Sequence, residues 1–231
     1  RNWVFVKVLT DQPGLWGWGE ATLEWHTRAV VGAVEDIATL LIGEDPLRPE
    51  YLWQKLFSIT HTRRSAWEVW GISREQLEVA LAAIDIALWD LVGKQAGLPL
   101  FRILGGYTTQ VPAYVTGGYY TEGRGIPELI AECQGYVEAG YRAIKIKVGG
   151  TTLDEDVKRV KALRQALGDD INLSLDANRA WDVKTAIEAA RRFADYHPRW
   201  IEEPIQWYDD VRALTVLKQN THLPLASGES A

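Results

Sequence analysis

The sequence predicts an α/β protein in two parts: an N-terminal α+β domain over residues 1–106 and part of a (β/α) barrel over residues 107–231. Three observations predict it. Strands come first and helices second up to Gly106, but the two alternate strictly after it. The alternation is regular: Lys147, Asp176, Glu202 and Glu229 follow one another at 29, 26 and 27 residues. Each of these residues closes a strand-like segment. Regular βα units imply a parallel sheet. Charged residues closing several consecutive strands suit a closed barrel, whose active sites lie at the C-terminal strand ends. An open sheet favours a single switch point instead.

Residues 1–20 read as a hairpin: Trp3 and Phe5 alternate with Val4 and Val6, DQPG signals a turn, and LWGWGEA follows. From Thr27 the period turns helical, with Val30, Val31, Val34, Ile37, Ala38 and Leu41 at steps of three and four and Gly43 as the expected stop. EDPLRPEYLWQKLF reads as a second helix with Pro49 near its start. THTRRSAWEVWG has no clear period and reads as a loop. Residues 76–92 form a third, strongly apolar helix that Gly93 is expected to close, and AGLPLFRILGG leads out of the domain. VPAYVTG, YRAIKIKVG, INLSLDAN, RWIEEP and LPLASGE then read as strands. Helices at 126–139, 153–167, 183–196 and 209–219 separate them. That is about five of the eight strands of a barrel, and at roughly 27 residues per unit about 80 residues of barrel lie elsewhere.

Composition excludes several classes. The chain has 231 residues, 47% hydrophobic and 24% charged, which is globular composition. Net charge is −6 and no basic block exceeds Arg63-Arg64, so no nucleic-acid partner is expected. Nothing approaches a membrane-spanning apolar run, and no signal peptide is visible. The single Cys133 rules out a disulfide within the chain and agrees with a cytoplasmic location. Methionine is absent even at position 1 and the chain opens directly on a strand, as expected of a piece of a longer protein. The 11 tryptophans are expected mainly in core and interface packing.

Lys145 and Lys147 sit two apart on one strand and share a face, while Ile144, Ile146 and Val148 take the other. The lysines therefore point away from the helices, where an unpaired ammonium is costly. Two such charges side by side are expected to push at least one pKa down, which makes a lysine a usable general base. Alone, such a pair says little. Asp176, Glu202 and Glu229 close the next three strands, and three carboxylates in one place repel unless a cation holds them. Hard oxygen donors with open positions suit Mg²⁺.

KIK, LDAN, WIEEP and SGES, each one βα unit on, resemble the enolase superfamily. WGWGEA, ALAAIDIALWDLVGK and GLPLFRILGG are similar to that family's capping domain and its junction to the barrel. The resemblance implies an enolase-type barrel with metal ligands at Asp176, Glu202 and Glu229. In the EEP segment the first Glu is the family's usual ligand, so the resemblance favours Glu202 over Glu203. Glu at the third ligand position resembles the mandelate racemase subgroup, and KIKVGG with DANRAWD looks most like its acid-sugar dehydratases.

The resemblance implies Lys147 as the base that removes the proton alpha to a substrate carboxylate, with Lys145 lowering its pKa, and Mg²⁺ stabilising the enediolate, in keeping with this superfamily's lysine or histidine bases and Mg²⁺. Loss of a β-hydroxyl would give a 2-keto-3-deoxy acid. Racemisation or epimerisation of a 2-hydroxy acid is the alternative on the same residues, and a non-catalytic binding protein on this fold is a second. Asn178 is a candidate substrate contact, at a position where some sugar dehydratases carry His. The cap loop adds His61, Arg63, Arg64 and Trp67. The family's His–Asp dyad would lie beyond Ala231. The resemblance also implies a homo-oligomer acting on a small sugar acid.

Overall fold

In the computed structural model, which describes residues 2–23, 25–61, 74–206 and 210–229, the chain divides into two units, Arg1–Gln110 and Val111–Ala231. The first opens on an antiparallel hairpin of β1 (Phe5–Leu9) and β2 (Trp16–Glu20), registered Phe5 to Glu20. Its turn places Pro13 and Gly14 at the centre, with the Leu15 amide donating to the Gln12 carbonyl at 3.1 Å. Val4 and Val6 point into the core while Phe5 is exposed. On β2 the inward positions are Gly17 and Gly19, for a steric reason. A Cβ at either would stand 1.9 Å from the Ala87 carbonyl oxygen or 1.8 Å from that of Ala83. The strand thus lies directly on the backbone of the long helix behind it.

Three helices complete the core. Helix α1 (Thr27–Ala38) buries Val30, Ala33 and Ile37. It ends before Gly43, the predicted stop, because tight bonds from Leu40 to Ile37 and from Leu41 to Ala38 take over after Ala38. Helix α2 (Pro49–His61) begins at proline, which loses no helical hydrogen bond there. It carries Thr60 and His61 in its last turn, where the sequence reads as a loop. Helix α3 (Arg74–Ala96) runs through Gly93, and the stop is Gly97 instead. Gly97 has φ +63°, and the Leu98 amide reaches back to the Gly93 carbonyl at 3.0 Å. A short α4 (Leu100–Ile103) follows Pro99. Leu52, Leu56, Leu77, Leu81, Ile84 and Leu91 fill the interior.

The second unit alternates. Its elements are β3 (Val115–Gly117), α5 (Ile126–Glu138), β4 (Ala143–Lys147), α6 (Leu153–Leu167) and β5 (Asn172–Asp176). Then come α7 (Val183–Phe193), β6 (Ile201–Glu202), α8 (Asp210–Gln219) and β7 (Leu225–Ala226). All five strands are parallel and lie in chain order, β3-β4-β5-β6-β7. No reversal of order occurs, so this sheet has no switch point, which is barrel topology and not the doubly wound alternative. The strands are shorter than the sequence suggests. VPAYVTG contributes only its last three residues, since Pro112 has no amide to give a ladder. The helical segment predicted to run to Tyr196 tightens into a 3₁₀ turn at Ala194–Tyr196, which His197 closes with φ +48°.

The two faces of this sheet differ in chemistry. Ile144, Ile146, Leu173, Leu175 and Ile201 are buried in a core with Leu129, Val160, Leu163, Ala190 and Leu217 from the helices. Lys145, Lys147, Ser174, Asp176 and Glu202 alternate with them and so take the other face. Among the described residues Trp181 is buried, Trp16, Trp53, Trp89 and Trp200 are half-buried, and Trp3, Trp18 and Trp25 are well exposed. Trp3, Phe5, Trp16 and Trp18 instead form a ladder of ring contacts on the hairpin's outer face. Among the described residues no helix is long and apolar enough to cross a membrane.

Candidate active site

Parallel register sets the site. Lys147 is the register partner of Asp176 on β5, and Asp176 is the partner of Glu202 on β6. Three strand ends therefore present ammonium, carboxylate and carboxylate side by side on one face. The Lys147 Nζ donates to Asp176 Oδ2 at 2.6 Å and to Asn178 Oδ1 at 2.7 Å. Lys145, one layer deeper, donates to Glu202 Oε1 and lies 3.5 Å from Asp176 Oδ2. Asp176 is almost wholly buried, its side chain 2% exposed, and also accepts the Asn178 amide at 3.0 Å. Asn178 itself sits at φ +43°, a conformation that asparagine tolerates better than most residues. That turn folds its side chain back onto Lys147.

Burial presses the Lys145 ammonium toward neutrality, but the hydrogen bond and charge of Glu202, with the charge of Asp176, outweigh it. Lys145 is therefore held above its ordinary value, not below it. Its facing carboxylates decide the sign, not its lysine neighbour.

Aromatic side chains that the sequence reading did not single out surround the pair. Trp200 Nε1 donates to Glu202 Oε2 at 3.0 Å, so Glu202 is gripped through both oxygens. The Tyr114 ring meets Trp200 edge-on at 5.5 Å and lies 5.4 Å from the Lys145 nitrogen. The Tyr119 ring lies 5.4 Å from that of Lys147. Trp200 carried a usable signal, because two residues before Glu202 on a strand means the same face. Tyr119, in the loop after β3, carried none.

Below the strand ends a second polar cluster fixes the loops. Asp156 of α6 is fully buried, accepts the Gly149 amide at 2.7 Å and receives the Tyr120 hydroxyl. Burial, then the hydrogen bond to Asp156, push the Tyr120 hydroxyl's pKa up. Arg159 donates to the Gly118 carbonyl at 2.9 Å with its guanidinium 4.3 Å from the Tyr120 ring centre. The loops after β3 and β4 are thereby tied to one helix.

The expected metal ligands are placed unevenly. Asp176 and Glu202 are together, bridged by Lys145. Glu229 follows β7 and is exposed, with its amide donating to Glu203 Oε1 at 2.9 Å. Among the described residues no group of three or more His, Cys, Asp and Glu is arranged to hold a metal ion. The donor chemistry nonetheless fits a hard cation. Asp176 and Glu202 are adjacent carboxylates whose oxygens already draw two ammonium groups, so positive charge belongs at this place. The Glu203 carboxylate accepts instead from the Ser227 hydroxyl and the Gly228 and Glu229 amides. His61 ends α2, and its side chain, like Arg63, Arg64 and Trp67, lies outside the described residues.

Residues 1–105 match the family described as mandelate racemase / muconate lactonizing enzyme, N-terminal domain. Residues 128–231 match the one described as enolase C-terminal domain-like. The chain is 36% identical over its whole length to an arabinonate dehydratase of Saccharolobus solfataricus, covering 63% of that protein. It superposes on a 3,6-anhydro-D-galactonate cycloisomerase from Zobellia galactanivorans with a TM-score of 0.86 at 33% identity, covering 99% of this chain and 60% of that one. A racemase from Streptomyces coelicolor A3(2), with bound magnesium, gives 0.84 at 36% identity, covering 97% and 65%. The chain thus spans about three-fifths of the length of these relatives.

Proposed function

The chain belongs to the mandelate racemase subgroup of the enolase superfamily, and on that premise we propose that it is the larger part of a Mg²⁺-dependent sugar-acid dehydratase. The observation that carries the proposal is the Lys147–Asp176–Glu202 row at three neighbouring strand ends, with Lys145 behind it. Such a row offers a base and an anionic cation site within one hydrogen bond of each other. The similarity to an arabinonate dehydratase supports a sugar acid as substrate.

Asp176, Glu202 and Glu229 would hold Mg²⁺. When bound it supplies Lewis-acid stabilisation of the charge that grows on a substrate carboxylate, where each pKa unit taken from the carbon acid corresponds to about 1.4 kcal/mol. Lys147 Nζ, aimed by Asn178 and Asp176, takes the α-proton once it is in the amine form. Lys145 remains an ammonium, because its carboxylates hold it charged. It thus keeps a positive charge beside Lys147, facing Glu202 and Asp176. Trp200 fixes Glu202, and the Tyr119 ring borders Lys147 on the loop side. After proton removal the enediolate collapses to the enol as the β-hydroxyl leaves, taking up one proton from a general acid to depart as water (the Lys147 ammonium formed in the first step is the one this row supplies), and the enol tautomerises to the 2-keto-3-deoxy acid. We also place the enzyme in the cytoplasm as a homo-oligomer.

A colorimetric assay for 2-keto-3-deoxy acids, run across a panel of pentonates, hexonates and aldarates, tests this reading. Product from one acid only in the presence of Mg²⁺ supports it. Racemisation or epimerisation of a 2-hydroxy acid is the second reading, favoured by the similarity to a racemase. Isomer formation without keto-acid product would select it.

A further inference from the structure

The second glutamate of the EEP segment has work of its own. Glu203 is 3% exposed, although it is charged and sits at the rim of the sheet. Its Oε1 accepts the Gly228 amide at 2.7 Å, the Glu229 amide at 2.9 Å and the Ser227 hydroxyl at 3.2 Å. These are the three consecutive residues that follow β7 and end on Glu229. The Glu203 backbone is held as well. Its amide donates to Ala226 at 2.9 Å and its carbonyl accepts from Arg179 at 2.6 Å. The residue takes φ +42°, which a glutamate adopts only when its surroundings impose it.

That strained turn divides the two adjacent glutamates. Along a regular strand Glu202 and Glu203 would face opposite ways in any case. The left-handed turn, however, carries the Glu203 side chain across to the neighbouring strand end and not down among the helices. A largely buried side-chain oxygen that accepts from three donors at once is a firm anchor, since each donor would lose its partner without it. β7 itself has only two residues, and no other hydrogen bond described here fixes the Gly228 or Glu229 backbone.

We propose that Glu203 is a positioning residue: it sets the backbone of residues 227–229 and thereby the reach of the Glu229 carboxylate toward Asp176 and Glu202. The inference rests on the reading of Glu229 as the third metal ligand. It gives the two glutamates separate tasks on one cation site, Glu202 as a donor and Glu203 as the holder of the next strand's donor. The chemistry required of Glu203 is a side-chain oxygen that accepts hydrogen bonds, not a negative charge.

That requirement makes the test specific. Mn²⁺ affinity, read by electron paramagnetic resonance on the metal-free full-length protein, is compared for wild type, Glu203→Gln and Glu203→Leu, alongside melting temperature. Gln keeps an acceptor oxygen and loses the charge, whereas Leu loses both. The expected result is an affinity for Gln within about threefold of wild type and a loss of about tenfold or more for Leu, the size usual for groups that orient a ligand. Equal weakening in both would reduce the role to charge. A lowered melting temperature with unchanged Mn²⁺ affinity would reduce it to stability. Either overturns the proposal. Peptide-level amide exchange of wild type needs no variant: slow exchange over residues 227–229 in the metal-free protein is expected, and fast exchange contradicts the anchor. Failure of wild type itself to bind Mn²⁺ would instead overturn the metal-site reading on which the inference rests.

Discussion

Lys147 and Lys145 occupy one face of one strand and yet have different surroundings. Lys147 has an acceptor on either side, Asp176 and Asn178, while Lys145 is enclosed by carboxylates that keep it charged. Lys147→Ala is therefore expected to lower turnover by about 10²–10⁴-fold, the usual worth of a positioned base, and to leave Mg²⁺ affinity within a few-fold. Calorimetric titration beside initial rates checks both halves. Lys145→Met removes the cation from two largely buried carboxylates and is expected to cost roughly 3–5 kcal/mol of stability in the metal-free protein, read by urea unfolding. The sign with pH follows from its raised value. The stabilisation is fully present below the ordinary lysine value of 10.5 and is lost as pH rises through the higher folded value. Metal-free melting temperature should therefore show no Lys145-dependent change between pH 6 and 9, on the order of three units of neutral range. Glu229→Gln should weaken Mg²⁺ binding, and unchanged affinity would remove Glu229 from the ligand set.

Elements were legible where the sequence pattern matched a single physical cause. The helix expected at 153–167 is found with those bounds, and Thr152 Oγ1 caps it by accepting the Glu155 amide. The stops were harder to read. Gly93 and Gly97 both follow an apolar run, but only Gly97 takes the left-handed backbone that closes α3. The glycines of WGWGEA had no reading of their own in the sequence and are contact positions against α3. Gly17→Ala or Gly19→Ala is expected to lift β2 from that helix and to cost at least about 1–3 kcal/mol, as overpacking does. Gly32→Ala on α1, where a Cβ meets open space, is expected to stabilise by about 0.5–1 kcal/mol. Opposite shifts in melting temperature for the two substitutions check the pair. Arg164 is a third case without a sequence signature. It donates to the carbonyls of Tyr196, Gly168, Ile171 and His197, gathering the ends of α6 and α7 before β5 and β6.

At the scale of the whole chain, the spacing of Lys147, Asp176, Glu202 and Glu229 pointed to the parallel sheet, and the strand register brings the first three of these four residues into one row. What spacing could not give is which oxygen faces which cation. The raised value of Lys145, the indole bond from Trp200 to Glu202 and the diversion of Glu203 all depend on side-chain placement across strands. The capping residues Arg63, Arg64 and Trp67 remain sequence expectations. The central claim is that Lys147 removes a proton alpha to a carboxylate in a Mg²⁺-dependent way. The measurement that tests it most directly is proton NMR of the full-length protein in D₂O with Mg²⁺ and the acid it consumes, for wild type and Lys147→Ala side by side. The account predicts loss of the C2 proton signal with growth of a 2-keto-3-deoxy product in wild type, and neither in the variant. The same product formed at the wild-type rate by Lys147→Ala, or by wild type stripped of Mg²⁺, would contradict it.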